Sequence, residues 1–328
     1  MPRERATVFV SGTLPGDGVA LLRKRHVVVQ DDDGVRSAAF AACRADVEAI
    51  VALLTDRIDA AFLEGTPRLR VVANVAVGVD NVDLEACRAR GVVVTNTPDV
   101  LTEATADLAF GLLLAAARRI AEGDRLVRAG GFGGWTPTFM LGTRVHGSTL
   151  GIVGMGRIGQ AMARRARGFG MHVLYTQSAP LPAEAKADAV ASDTGATYVG
   201  ALDELVAASD FVSIHCPLTP ATRHLFDADR LARMKPGSIL INTARGPIVD
   251  EAALARALEG GPLAAAGLDV FEDEPRVHPA LLERPNVVLA PHIGSADRPT
   301  REAMAGKAIA NVLEVLAGRP PLTPVARA

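Results

Sequence analysis

A glycine-rich run carries the clearest chemical signal in this 328-residue chain. Gly154, Gly156 and Gly159 follow an apolar stretch, 149–153, and precede an Ala- and Arg-rich segment typical of a helix. Glycines at this spacing allow a tight turn, a close approach of the backbone to a pyrophosphate, and close packing of the helix on the strand. The free N–H groups at the start of the helix then attract phosphates. The run therefore predicts a dinucleotide-binding turn.

The position that selects the cofactor departs from the commonest pattern. A second apolar stretch, 171–176, ends about twenty residues after the turn, where an NAD site usually carries an acidic residue for the ribose 2′-hydroxyl. This chain has Gln177 and Ser178 there. Neither side chain repels a 2′-phosphate and both can donate hydrogen bonds to it, so the sequence favours NADP(H). No arginine follows to bind the phosphate, and a weakly selective NAD(H) site stays open as the alternative.

Composition and charge exclude several classes of protein. The formal net charge of −2 leaves no electrostatic footprint for nucleic acid or an anionic membrane. Cys43, Cys87 and Cys216 are too few and too far apart to predict a disulfide framework or a zinc site. The first residues hold no signal-peptide core, and no apolar stretch is long enough for a bilayer span. We therefore expect a cytoplasmic protein with no nucleic-acid or membrane partner and no metal.

Short apolar strands alternate with helices along the chain, which predicts an α/β protein with parallel sheets. A first set of strands is expected at 7–10, 27–29, 50–54, 71–74 and 92–95. A second set is expected at 149–153, 171–176, 211–214, 238–242, 265–269 and 287–290. Between the two sets we expect one long helix, 101–129, and an irregular arm, 130–137. A final helix is expected at 301–317.

The length and the order of these elements predict two domains. We expect two doubly wound parallel sheets with a cleft between them. A flavodoxin-like substrate domain would comprise 1–100 plus 292–328, because the final helix folds back onto the first domain. A Rossmann-type cofactor domain would comprise 101–291.

Several stretches, in order and over nearly the whole chain, resemble the D-isomer-specific 2-hydroxyacid dehydrogenase family. They are NVAVGVDNVD (74–83), TLGIVGMGRIGQAMARRARGFGM (149–171), DFVSIHCPLTPATRHL (210–225), MKPGSILINTARGPIVDE (234–251), AAGLDVFEDEP (265–275) and APHIGSA (290–296). The stretch GGWTPTFMLGTRVHG (133–147) is most similar to the glyoxylate/hydroxypyruvate reductase branch. The resemblance implies a homodimeric enzyme that reduces a small 2-keto acid to a D-2-hydroxy acid with NAD(P)H.

Three catalytic residues follow from the resemblance. Arg245 matches the arginine that holds the substrate carboxylate and polarises its carbonyl, and a planar guanidinium suits that role. His292 matches the proton donor, since histidine titrates near working pH. Glu274 matches the carboxylate that pairs with this histidine and favours its protonated form. Taken alone, the three would be interpreted as a surface ion pair, a strand-end cap and part of a solvated acidic turn with Glu272 and Asp273.

The substrate contacts lie in a loop and in the arm. The turn at 74–78 is apolar, and its backbone N–H groups could bind the other side of a carboxylate, as the family's loop does; a plain tight turn is the alternative. In related reductases the arm reaches the neighbouring subunit, so we expect Trp135 to border the partner's pocket rather than to pack within its own domain, with Met140 and Leu141 alongside. The expected substrate-binding residues are Leu54, Val75, Ala76, Val77, Gly78, Trp135, Met140 and Arg245.

The resemblance also implies a set of cofactor contacts. Thr243 and Arg245 would lie near the nicotinamide, and Asp269 would bind its carboxamide. The full set comprises Thr105, Gly154, Gly156, Arg157, Ile158, Gly159, Gln177, Ser178, Cys216, Pro217, Thr222, Thr243, Ala244, Arg245, Asp269, His292 and Gly294.

Three other functions stay open. A phosphite dehydrogenase-like enzyme has a similar arm but carries lysine where this chain has Val77. A formate dehydrogenase relative would carry glutamine in place of Glu274. A dinucleotide-sensing co-repressor, which is a binding protein and not an enzyme, would not need the three catalytic residues together. Turnover of glyoxylate separates an enzyme from that last class.

Overall fold

The computed structural model describes residues 5–177 and 192–325. The chain divides into two compact units, one formed by residues up to Leu101 and from Ser295 onward, the other by Thr102–Gly294. Each unit has one sheet, and all the pairings between neighbouring strands are parallel. The predicted α/β class with two parallel sheets is confirmed.

The first unit is a five-stranded sheet with helices around it. Its strands are β1 (Thr7–Ser11), β2 (Val27–Asp31), β3 (Val47–Ala52), β4 (Val71–Asn74) and β5 (Val93–Thr95). The helices between them are α1 (Gly18–Arg25), α2 (Ala38–Cys43), α3 (Ala60–Glu64) and α4 (Leu84–Ala89). The strand order β2-β1-β3-β4-β5 is that of flavodoxin-like folds. The central strands β3 and β4 are buried on both faces, except at Glu48, because helices cover both sides of a parallel sheet.

The second unit is a seven-stranded sheet. Its strands are β6 (Thr149–Val153), β7 (His172–Thr176), β8 (Thr197–Tyr198), β9 (Phe211–Ile214), β10 (Ser238–Asn242), β11 (Leu263–Leu268) and β12 (Val287–Leu289). Its helices are α5 (Thr102–Ala117), α6 (Ile120–Arg128), α7 (Arg157–Gly168), α8 (Leu202–Ala208), α9 (Ala228–Ala232), α10 (Glu251–Gly260) and α11 (Pro279–Leu282). The order β12-β11-β10-β9-β6-β7-β8 is the Rossmann order with one further strand, β12, at the edge.

The last helix, α12 (Arg298–Leu316), belongs to the first unit and packs against β3 and β4. The sequence places its start at residue 301, which lies inside the first turn. The true start is set by the Asp297 carboxylate, which accepts a hydrogen bond from the Thr300 N–H at 2.7 Å. Pro299 is compatible with that first turn because its missing N–H would have no partner there.

Two predicted elements were wrong in their bounds. The helix expected at 101–129 is two helices, because Arg119 takes a left-handed conformation (φ 54°) and its guanidinium binds Glu122 at 2.7 Å. The strand expected at 50–54 lies earlier, as β3. It ends at Ala52 because the buried Asp56 carboxylate accepts a hydrogen bond from the Leu53 N–H at 2.8 Å and turns the chain.

The boundary between the units also differs from the predicted one. The sequence assigns His292 to the first domain, whereas the structure places it in the second unit. The backbone explains the difference, because the His292 N–H donates to the carbonyl oxygen of Asp269, just after β11, at 2.8 Å. Across residues 5–177 and 192–325, we find no helix with the length and apolar character needed to traverse a bilayer.

Candidate active site

The glycine turn joins β6 to α7, and the surroundings of Gly154 and Gly159 leave no room for a side chain. Gly154 has a φ of 99°, and a Cβ there would lie 2.7 Å from the Cys216 backbone nitrogen. A Cβ at Gly159 would overlap the carbonyl oxygen of Gly154. Gly156 faces open space, with no atom within 4 Å of a built Cβ, and it caps α7, which begins at Arg157. The turn therefore has room for a pyrophosphate at a helix N-terminus.

The predicted cofactor residues follow the carboxyl ends of neighbouring strands in the same sheet. Gly154 follows β6, Cys216 follows β9, Thr243 follows β10 and Asp269 follows β11. The hydroxyl of Thr243 is buried and has no hydrogen-bond partner among the described residues. A buried hydroxyl in that state fits a ligand contact, since buried polar groups are normally paired. These features fit a dinucleotide along this edge of the sheet.

Other predicted cofactor residues lie close to these. A Cβ built at Gly294 would lie 3.4 Å from the Thr105 side chain and 3.2 Å from Asp269. The Thr222 hydroxyl donates to the Pro217 carbonyl oxygen at 2.7 Å, which ties the loop after β9 together. Burial raises the pKa of the Cys216 thiol to about 11, so the thiol is neutral at ordinary pH and is not an activated nucleophile.

Asp269 holds the turn that carries His292. One of its carboxylate oxygens accepts a hydrogen bond from the Ile293 N–H at 2.7 Å, and the other accepts one from the Gly294 N–H at 2.8 Å. Burial raises the pKa of Asp269, against the effect of those two hydrogen bonds. Its carboxylate thus fixes the backbone beside His292. The contact with the nicotinamide carboxamide stays a prediction.

His292 and Glu274 form a hydrogen-bonded pair. The Nδ1 of His292 donates to Oε2 of Glu274 at 2.8 Å, and Oε1 of Glu274 accepts from the Phe271 N–H at 3.0 Å. Burial opposes ionisation of Glu274, but the hydrogen bonds from His292 and Phe271 outweigh it and lower the pKa. His292 itself has a φ of 55°, a left-handed conformation that is uncommon outside glycine and occurs at functional sites.

Arg245 lies in the turn after β10, and this turn is built around the buried Asn242. The Asn242 side chain donates to the Arg245 carbonyl oxygen at 2.9 Å and accepts from the Ala244 N–H at 3.0 Å. The next residue, Gly246, touches the turn that carries Glu274, since a Cβ on it would overlap the Phe271 carbonyl group. The positive charge of Arg245 also contributes to the low pKa of Glu274. Arg245, Glu274 and His292 are thus brought together in the second unit.

The loop predicted to bind a carboxylate lies in the first unit, after β4. Its carbonyl oxygens are held by protein donors: Ala76 by the Thr97 N–H at 2.8 Å, Val77 by the Asn96 side chain at 2.9 Å, and Gly78 by the Asn74 side chain at 2.9 Å. Over the described parts of the chain, no protein group accepts a hydrogen bond from the N–H groups of residues 76–78. Those N–H groups are available to an anion.

Comparison with known proteins identifies the family. Residues 110–294 match the model of the D-isomer specific 2-hydroxyacid dehydrogenase, NAD binding domain. A glyoxylate reductase of Thermococcus onnurineus is 46% identical and covers 98% of this chain and 96% of its own.

Solved structures of similar proteins support the same family. A Thermus thermophilus protein, 46% identical, covers 98% of this chain and all of its own at a TM-score of 0.88. An NADPH-dependent glyoxylate/hydroxypyruvate reductase of Sinorhizobium meliloti, solved with NADP and malonate, is 38% identical, covers 98% and 97% of the two chains, and has a TM-score of 0.87. The chain belongs to the D-isomer-specific 2-hydroxyacid dehydrogenase family. It is therefore an oxidoreductase that uses a nicotinamide dinucleotide and interconverts 2-keto and 2-hydroxy acids.

Two acidic residues of this dehydrogenase have contacts that the sequence did not reveal. Glu251, 5% exposed at the start of α10, accepts hydrogen bonds from the N–H groups of Glu272 at 2.7 Å and His278 at 3.2 Å. It therefore brackets the turn that carries Glu274. Glu272 was expected to be solvated, which was wrong, since it accepts a hydrogen bond from His224 Nε2 at 2.5 Å. The only local signal for Glu251 was its place in the first turn of a helix, where acidic residues are common.

The arm of the dehydrogenase is apolar and exposed. Trp135 is 78% exposed, Leu141 67% and Phe132 55%. Met140 has a left-handed backbone (φ 51°). Trp135 is thus not packed within its own unit, which removes one of the two interpretations of the sequence.

The remaining predicted residues are only partly described. Gln177 is half-buried directly after β7. Ser178 lies outside the described residues. Leu54 lies in the turn after β3 and is 36% exposed.

Proposed function

We propose that this dehydrogenase reduces glyoxylate or hydroxypyruvate with NADPH and uses Arg245, Glu274 and His292 at the reacting carbonyl. The observation that carries the proposal is the pair of His292 and Glu274, 2.8 Å apart, with the turn that carries Glu274 adjoining the turn of Arg245. The similarity to glyoxylate reductases over nearly the whole chain supports the substrate class.

His292 supplies the proton. Its Nδ1 donates to Glu274, so its Nε2 is the nitrogen that delivers a proton to the carbonyl oxygen of the keto acid. Glu274 is ionised over the working range because its pKa is lowered, and its charge stabilises imidazolium before the transfer. In the oxidative direction, neutral His292 takes the proton back from the hydroxyl group.

Arg245 binds the keto acid and polarises its carbonyl. A guanidinium fork binds two oxygens and fixes their plane, which orients the carbonyl for reaction. The free N–H groups of residues 76–78 bind the substrate carboxylate, with Val75, Ala76, Val77 and Gly78 as the contact loop. Leu54, Trp135 and Met140 shape the space around the rest of the substrate. When bound, the reduced nicotinamide supplies a hydride to the carbonyl carbon.

We infer a preference for NADPH over NADH. Gln177 follows β7 at the position where an acidic residue would bind the ribose 2′-hydroxyl and repel a 2′-phosphate. A relative with 38% identity is NADPH-dependent. The residues that would hold the cofactor are those of the glycine turn and the loops after β7, β9, β10 and β11.

The proposed enzyme is a cytoplasmic homodimer. The exposed apolar arm favours contact with a second copy, because such side chains cluster at protein interfaces. The cysteines are all free thiols, as suits a reducing compartment.

The test is a set of initial rates. Glyoxylate, hydroxypyruvate, pyruvate and 2-ketogluconate are each assayed with NADPH and with NADH, and phosphite and formate are assayed with NAD and NADP. We expect the highest kcat/KM with glyoxylate or hydroxypyruvate and NADPH. Oxidation of phosphite or formate in the absence of 2-keto acid turnover would contradict the proposal. Cofactor binding without any turnover would favour a dinucleotide-sensing protein.

A further inference from the structure

The loop at 75–78 is fixed by a pair of asparagine side chains that none of the proposed roles uses. Asn74, at the end of β4, is completely buried. Its Nδ2 donates to the Gly78 carbonyl oxygen at 2.9 Å and to Oδ1 of Asn81 at 3.1 Å. Asn81 is half-buried and returns a bond from its Nδ2 to Oδ1 of Asn74 at 3.2 Å. The two amides thus close a reciprocal pair across the base of the loop.

Asn81 joins this pair to a second segment. The same Nδ2 donates to the carbonyl oxygen of Leu53 at 3.1 Å and to that of Asp56 at 2.9 Å. Both carbonyls belong to the turn after β3, which carries Leu54. The backbone of Asn81 is fixed as well, since its carbonyl oxygen accepts from the Ile58 N–H at 2.9 Å. Asn81 therefore links the candidate anion loop to the turn beside it.

The chemistry of this position requires a carboxamide. The Nδ2 of Asn81, which has two hydrogens, faces three oxygen acceptors, while its Oδ1 faces a donor, and a carboxamide offers both functions. Aspartate has the same shape but would set a charged oxygen against the oxygens of Leu53, Asp56 and Asn74. In a half-buried place those unsatisfied groups are costly, so the loop would have to rearrange.

We propose that Asn81, acting through Asn74, is a positioning residue that holds the Gly78 carbonyl oxygen inward and so orients the N–H groups of residues 76–78 toward the substrate carboxylate. The inference rests on the proposed binding of the carboxylate by this loop. It assigns to Asn81 an effect on substrate affinity. Cofactor binding belongs to the second unit and should be insensitive to Asn81.

The experiment compares Asn81→Asp with the wild-type enzyme. The measured quantities are kcat and KM for glyoxylate, KM for NADPH, and the inhibition constant of oxalate, which presents carboxylates but is not reduced. Loss of several buried hydrogen bonds should raise KM for glyoxylate and the inhibition constant of oxalate by about tenfold or more. The KM for NADPH should not change.

Two further variants keep the test decisive. Asn96→Ala removes only the donor to the Val77 carbonyl oxygen and should raise the same two constants by a smaller factor, even if Asn81→Asp fails to fold. Gln30→Glu is the matched control, because Gln30 also donates a side-chain amide to a loop carbonyl of the first unit, that of Gly12 at 2.9 Å. It should leave all the constants unchanged.

The outcomes separate the inference from the proposed function. If the wild type reduces 2-keto acids but the folded Asn81→Asp and Asn96→Ala variants keep its KM and oxalate inhibition, the inference is overturned and the function stands. A fall in kcat with unchanged constants for glyoxylate and oxalate would also overturn it, since that pattern reports a general structural role. A wild type that neither reduces 2-keto acids nor binds oxalate would overturn both.

Discussion

Glu274 acts through its negative charge, and its hydrogen bonds keep the carboxylate ionised. Burial alone would favour the neutral acid, yet hydrogen bonds from His292 and the Phe271 N–H lower its pKa below the ordinary glutamate range. Because the pKa is lowered in the folded state, the stabilisation from the ionised form is present above the ordinary glutamate pKa and is lost as pH falls through the lowered pKa. Glu274 is thus ionised over the whole range in which histidine titrates.

Glu274→Gln should therefore change the pH dependence of reduction. Reduction requires protonated His292, so its rate falls as pH rises and the proton is lost. Without the neighbouring negative charge imidazolium is less stabilised, and the falling limb of kcat/KM for glyoxylate should move to lower pH. The measurement is the pH profile of the variant beside the wild type.

The control for that experiment is Asp273→Asn. Asp273 is the preceding acid, its side chain is 67% exposed, and it pairs with Arg276 and not with His292. Removing its charge should leave the limb in place. An unmoved limb in Glu274→Gln, or equal shifts in the two variants, would mean that direct pairing with Glu274 does not tune His292.

At the scale of single residues, the sequence predicts those whose interactions are with near neighbours in the chain. The three glycines of the turn are recognised by spacing, because the turn and the helix start are formed by neighbours in the chain. Glu251 and Asn81 are not recognised, since the backbone groups that the Glu251 carboxylate and the Asn81 amide bind lie 21 or more residues away. Such contacts exist only after the sheets have formed.

Among the elements, the turn after β10 packs closely against the turn after β11. Gly246 allows it, because any side chain would overlap the carbonyl group of Phe271. Gly246→Ala should separate Arg245 from Glu274. We expect a loss of about 1–3 kcal/mol in the free energy of unfolding and a fall of roughly a hundredfold in kcat/KM.

Gly260→Ala is the matched control, since Gly260 ends α10 and a Cβ there meets no atom within 4 Å. It should keep full activity and gain about 0.5–1 kcal/mol, because alanine suits a helix better than glycine. Thermal melts and steady-state kinetics on both variants check the pair. Full activity in Gly246→Ala would show that the close approach does not matter for catalysis.

The elements themselves were predicted where the pattern was long and regular. The α/β class with parallel sheets was recognisable from the alternation of strands and helices, and the glycine turn placed β6 and α7. The break between α5 and α6 was not, because Arg119 is an ordinary helix former and its left-handed conformation accompanies a contact with Glu122 that no sequence pattern indicates. The end of β3 was missed for a similar reason, since the Asp56 carboxylate that ends it lies beyond the apolar run.

For the whole molecule, the exposed arm predicts association. Trp135→Ala should weaken the proposed homodimer by about tenfold or more in dissociation constant, because aromatic anchors carry much of the energy of an interface. It should also change the ranking of hydroxypyruvate against glyoxylate. Sedimentation velocity and substrate kinetics are the measurements.

Leu282→Ala tests whether the loss of any exposed apolar side chain would weaken association and change the substrate ranking. Leu282 is 61% exposed on α11, outside the arm. It should leave both the dimer and the substrate ranking unchanged. A wild-type monomer, or a Trp135→Ala variant with unaltered association and ranking, would contradict the proposed role of the arm.

The division of the chain was largely readable from the sequence, and the reason for the remaining difference is physical. The sequence assigns His292 to the start of the return to the first domain. The Asp269 backbone and carboxylate instead tie residues 292–294 to β11. A domain boundary that is set by hydrogen bonds to a buried aspartate cannot be predicted from hydrophobic periodicity.

The central claim is hydride transfer to a 2-keto acid with His292 as the proton donor. Its most direct test is the reduction of hydroxypyruvate with NADPH that is fully deuterated at the nicotinamide C4, by the wild type and by His292→Ala. We expect D-glycerate with deuterium at C2 from the wild type, and a fall of about a hundredfold or more in kcat/KM for the variant. Glycerate without the label, the L-isomer, or an undiminished rate in His292→Ala would contradict the account.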